Sequence, residues 1–145
     1  MLPAYISHPD CIKHEMGRMH PESPDRIGAI HDMLLVKGLL DFMQTYEAPL
    51  ATEQQLAQAH SMSYIHAIAS MAPTEGYAHV DPDTNMNPYT YWAALRAAGA
   101  ERWPHPFGQS SEIFRWNVRG SHAANLIAGS VAKYASSGVR SSRLE

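Results

Sequence analysis

The spacing of apolar positions changes several times along the chain, and each change predicts an element. "AYIS" (4–7) places an aromatic and a β-branched residue ahead of His-Pro and predicts one short strand. The segment 8–24 has no periodicity and reads as a loop ending in Ser23-Pro24-Asp25, a helix-start signal. From Arg26 onward Ile27, Ile30, Met33, Leu34 and Leu40 recur at helical spacing, which predicts a helix of about four turns. "FMQTYEAPLA" reads as a second strand closing at Pro49. Thr52 with Gln55 has the spacing of a capping box and opens a short helix ending near His60. "SMSYIHAIASMA" predicts another, with Tyr64, Ile65 and Ile68 facing inward, and 73–88 a long loop. "YTYWAALRAAGA" predicts a strong helix with Trp92, Leu95 and Arg96 on successive turns. After an irregular stretch, a last helix is expected from an N-cap at Ser121 to a stop at Gly138.

Composition narrows the class without deciding it. A chain of 145 residues that is 45% hydrophobic suits one domain with a real core. A formal charge of −3 gives no basic footprint, so nucleic acid is excluded as an expected partner. One cysteine cannot form an internal disulfide, in keeping with a reducing cytoplasm. No apolar run is long enough to span a bilayer, and "MLPAYISHPD" lacks the form of a signal peptide. The expectation is a cytoplasmic protein with no membrane partner. The three tryptophans and the Met-rich stretches read as core, and His60 and His66 as partly buried helix histidines.

The densest chemistry lies in "HPDCIKHEMGRMHPESPDRIGAI" (8–30). His8, Cys11 and His14 stand three apart and would face one ion on a helix. Pro9 and the lack of a second ligand pair argue against a closed zinc site, so hydrogen-bonding loop histidines are the better reading.

The arrangement of this stretch, more than its parts, resembles the N-terminal signature of the histone deacetylase-like and acetylpolyamine amidohydrolase family. "LAQAHSMSYIHAI", "GYAHVDPDT" and "YTYWAALRAAGA" are similar to further family segments in the same order, so the likeness covers residues 4–100. It implies an α/β fold: the first strands and helices of an arginase/deacetylase-type parallel sheet, helix-rich and with few strands. It also implies a zinc-dependent hydrolase acting on acetyl-lysine or acetylpolyamines. Arg26 matches the arginine lining the family's internal channel, although pairing with Glu22 explains it as well. Asp81 or Asp83 matches the acid at the substrate rim, although aspartates at a turn need no such role.

Residues 101–145 depart from the family pattern. Where the family carries Arg-Pro-Pro-Gly-His-His-Ala, this chain has "NVRGSHAAN": the prolines are missing and Ser121 replaces the first of the paired histidines. The aspartates and histidine that ligate zinc in the family, and its catalytic tyrosine, are not matched. A rearranged or frameshifted tail is an alternative explanation. The resemblance therefore implies zinc for complete members and no metal ligand or cofactor held by this chain.

Amide hydrolysis of this kind needs a metal to activate water, a base and an oxyanion donor. Only His122 is matched to such a role. Beside it Ser121 suggests a nucleophile, although neighbours on a helix diverge and Ser121 also reads as an N-cap. The expected function is a deacetylase-family hydrolase whose own deacetylation is lost or vestigial. The alternatives are a small esterase for short acyl esters and a non-catalytic binding module. A partial sheet leaves an unpaired edge, so a homo-oligomer, most simply a dimer, is expected.

Overall fold

The computed structural model describes residues 2–101. Strand β1 (Ala4–Ser7) pairs in parallel with β2 (Gln44–Glu47), Ala4 opposite Gln44 and Ser7 opposite Glu47. Alternation along β1 divides the side chains between two faces. Ala4 and Ile6 form a core with Ala48, Ala97 and Ala100, the last two from helix α4 (Thr90–Glu101). Tyr5 faces the other way and its hydroxyl meets His31 Nδ1 at 3.3 Å, on helix α1 (Asp25–Val36). A small parallel sheet is thus covered by one helix on each face, the α/β arrangement expected.

Helix α4 is built for close approach. Its alanines let it sit tightly against the segment after β2, where Ala51 N–H donates to Leu95 O at 3.0 Å. Gly99 lies against Pro49; a Cβ there would collide with the Pro49 carbonyl oxygen and stand 3.0 Å from Ala51 N. Helix α2 (Glu53–Leu56) carries the Thr52–Gln55 capping box, with Gln55 N–H to Thr52 Oγ1 at 3.2 Å. Helix α3 (Met62–Met71) starts from a Ser61 cap and buries Ile65 and Ile68. Leu56 and Ile65 join Ala93, Ala94 and Leu95 in a second core.

Several expectations need correction. Helix α1 has twelve residues and stops at Val36; Leu40 belongs to a separate 3-10 turn, Leu40–Phe42. The reversal falls at Gly38, whose φ of 65° an L residue rarely adopts. None of the α1 side chains is buried, and Val36 is 80% exposed. Strand β2 is shorter than expected, since Phe42 lies in the 3-10 turn and, after Ala48 N donates to Ser7 O, the chain leaves the sheet. Helix α2 ends at Leu56, which leaves His60 beyond it, ring-stacked on Tyr64 at 5.2 Å. Residues 73–88 contain a hairpin: β3 (Ala78–Asp81) antiparallel to β4 (Thr84–Met86). Its inner residue Met86 is fully buried against Ile68. Trp92 is not core: half its surface is exposed, because α4 turns its alanine face inward. The methionines divide, Met16 and Met86 buried and Met19, Met33, Met62 and Met71 exposed.

Candidate functional site at the carboxyl ends of the parallel strands

Open α/β sheets bind ligands beyond the carboxyl ends of their strands, and the loop after β1 runs there. His8 caps a 3-10 turn, Pro9–Lys13, its Nδ1 accepting from Asp10 N at 3.1 Å. Asp10 is the hub of the turn. Its Oδ1 takes Lys13 Nζ at 3.2 Å and its Oδ2 takes Arg96 Nε at 3.3 Å, while Arg96 also donates to Ala48 O at 2.9 Å. Arg96 therefore ties α4 to the ends of both strands. Burial works against the Asp10 charge, but the bonds from Lys13 and Arg96 outweigh it and hold the carboxyl below its ordinary value.

Cys11 is unreactive by design of its surroundings. Burial, with the Asp10 charge adding, pushes its thiol up to about 11. Near neutral pH the thiolate fraction is then about a hundredfold below that of a free cysteine. Iodoacetamide at pH 7.5 should alkylate Cys11 at least about a hundredfold more slowly than a peptide thiol. Reaction at the free-thiol rate would show that Cys11 is not enclosed.

A buried polar network fastens the same loop to the start of α4. Asn87 Nδ2 donates to Lys13 O at 2.8 Å, and Asn87 Oδ1 accepts from Tyr89 N at 3.1 Å and from the Thr90 hydroxyl at 3.0 Å. Thr90 Oγ1 in turn accepts from Asn87 N at 2.8 Å and meets His14 Nδ1 at 2.9 Å. A hydroxyl has one proton, so donating it to Asn87 makes His14 Nδ1–H the donor towards Thr90. The histidines of the opening stretch are thus hydrogen-bonded, as the sequence favoured. Among the described residues no group of three His, Cys, Asp or Glu side chains is placed to hold a metal.

The expected substrate residues are connected through loop 20–22. Arg26, on α1, pairs with Glu22 at 2.9 Å. Glu22 N donates to His20 Nδ1 at 3.0 Å, and His20 Nε2 lies 3.6 Å from Asp83. Asp83 is in the hairpin turn, where its N–H donates to Asp81 Oδ1 at 2.9 Å. Loop 20–22 therefore connects Arg26 with Asp83, and Asp81 shares the turn. Ser121 and His122 lie outside the described residues. Sequence reading missed the His14–Asn87–Thr90 network; its one local signal was Asn87-Pro88 ahead of the helix, an Asx-turn pair.

Elsewhere, a shallow apolar cleft is lined by Leu56, His60, Tyr64, Ile65, Ile68 and Tyr91, with room for about one water molecule and no reason to assign it a ligand.

The family model for the histone deacetylase domain matches residues 20–102, from His20 through the hairpin and α4. The chain belongs to the histone deacetylase domain family. It is 36% identical over 69 residues to probable histone deacetylase 19 of Zea mays, covering 48% of this chain and 14% of that protein. It is 33% identical over 70 residues to histone deacetylase RPD3 of Saccharomyces cerevisiae, covering 48% and 16%. The solved HDA15 HD domain superposes with a TM-score of 0.60 at 26% identity, covering 70% of this chain and 31% of that one. This deacetylase-family chain thus spans well under half the length of these relatives. No described helix is long and apolar enough to cross a membrane.

Proposed function

We propose that the chain is the amino-terminal part of a zinc-dependent deacetylase-type hydrolase acting on acetyl-lysine or acetylpolyamines, with deacetylation by this chain alone lost or vestigial. The observation that carries the reading is the family match over 20–102. Zinc would supply carbonyl polarisation and an activated water. The described His, Cys, Asp and Glu side chains do not fit it, because a zinc site needs at least three convergent donors. Donors would have to come from outside residues 2–101. On this reading Asp81 and Asp83 border the small acylated substrate and Arg26 belongs behind it. Exposed Val36 and Phe42, with one unpaired edge on each parallel strand among the described residues, favour a dimer.

The test uses the purified chain with an acetyl-lysine peptide, an acetylated polyamine and p-nitrophenyl acetate, each with and without chelator. The expected result is no chelator-sensitive acetate release from either amide. Chelator-sensitive amide turnover overturns the proposal. Ester hydrolysis that survives chelator and falls at least tenfold in His122→Ala moves the reading to a small esterase; Ser121→Ala shares the loss only if the serine is acylated.

A further inference from the structure

The loop before α1 and the β3–β4 hairpin are joined by polar contacts that run in antiparallel order. Lys13 O takes Asn87 Nδ2, Met16 O takes Asn85 Nδ2 at 3.3 Å, and His20 faces Asp83. The other strand attaches too: Tyr77 OH donates to Glu15 Oε1 at 2.7 Å, across sixty-two positions of sequence. The two sides of this seam differ. His14, Met16, Met86, Asn87 and Thr90 are buried, whereas Glu15, Tyr77 and Asp83 are exposed. Gly17 and Gly76, at φ 108° and 67°, have no neighbour within 4 Å of an added Cβ. Their role is therefore backbone reversal and not packing: one turns the loop towards His20, the other delivers Tyr77 to Glu15.

We propose that residues 15–20 and 77–85 form a single two-part strap, latched on its outer side by Tyr77 and Glu15, that opens as one unit. Opening uncovers the buried Met16–Met86 side of the seam and the face of α3 that carries Ile68, while the parallel sheet stays closed. Contacts that cross between the two segments, and not within either, make their opening cooperative. The proposal stands independently of the hydrolase reading.

Amide hydrogen exchange on the full chain, resolved by mass spectrometry of peptides, tests it. Tyr77→Phe and Glu15→Ala are exposed, single-contact changes, and Glu15→Gln retains an acceptor. Either of the first two should speed exchange about threefold to tenfold in both segments together, with the peptide over β2 unchanged. The double variant should exceed the larger single effect little, and Glu15→Gln should fall between. Acceleration confined to the substituted segment, additive effects, or acceleration of every peptide would each overturn the single strap.

Discussion

Replacing Gly99 by alanine should destabilise the protein by about 2 kcal/mol, although alanine is the better helix former. Two effects oppose each other. In a helix interior Gly→Ala gains about 1 kcal/mol. Overpacking against an unyielding neighbour costs about 1–3 kcal/mol and sometimes more. The obstacle here is backbone, the Pro49 carbonyl oxygen with its carbon 2.8 Å from the new methyl, so no side chain can rotate away. The clash wins. Gly28, in α1, has nothing within 4 Å of its Cβ position, so Gly28→Ala should show the opposite sign and stabilise by about 0.5–1 kcal/mol. Urea unfolding of the two variants decides the matter. Equal shifts, or a stable Gly99→Ala, would mean that α4 does not press on the segment after β2.

The second large effect belongs to Thr90. It is fully buried and its hydroxyl serves three bonds, to Asn87 N, Asn87 Oδ1 and His14 Nδ1. Thr90→Val keeps the shape and removes the oxygen, taking the acceptor from two buried N–H groups. Each such loss costs about 1–3 kcal/mol, so a total of about 2–6 kcal/mol is expected. Thr90→Ser keeps the oxygen and loses one methyl, about 1 kcal/mol. Denaturant midpoints that rank wild type, Ser, Val in falling order support the network. A valine variant as stable as serine would show that the hydroxyl does not hold loop and helix together.

Legibility from the sequence followed the range of the forces involved. Strand β1 and the Thr52–Gln55 capping box were readable because each is fixed by a few neighbouring residues. The helix after Pro24 was readable in kind, but its end was not: Leu39 and Leu40 continue the apolar rhythm past Gly38, where the backbone turns. The hairpin was missed because strands of four and three residues around Asp-Pro-Asp-Thr carry too little alternation, and burial of Met86 against α3 organises them. Trp92 was misplaced because composition favours burying tryptophan, whereas an alanine face gives α4 its close contact. At the site, pairing with Glu22 stood beside the channel role as a reading of Arg26, and the two side chains do pair. The contact of His14 with Thr90 spans seventy-six positions, and no local pattern reports it.

The most direct test of the proposed function is zinc content after the purified full chain is loaded with zinc and desalted. A deacetylase segment whose own site is lost should retain zinc only in substoichiometric amounts and gain no thermal stability from it. One tightly held zinc per chain, or one per dimer, with a raised melting temperature, would contradict that reading and indicate a working metal site.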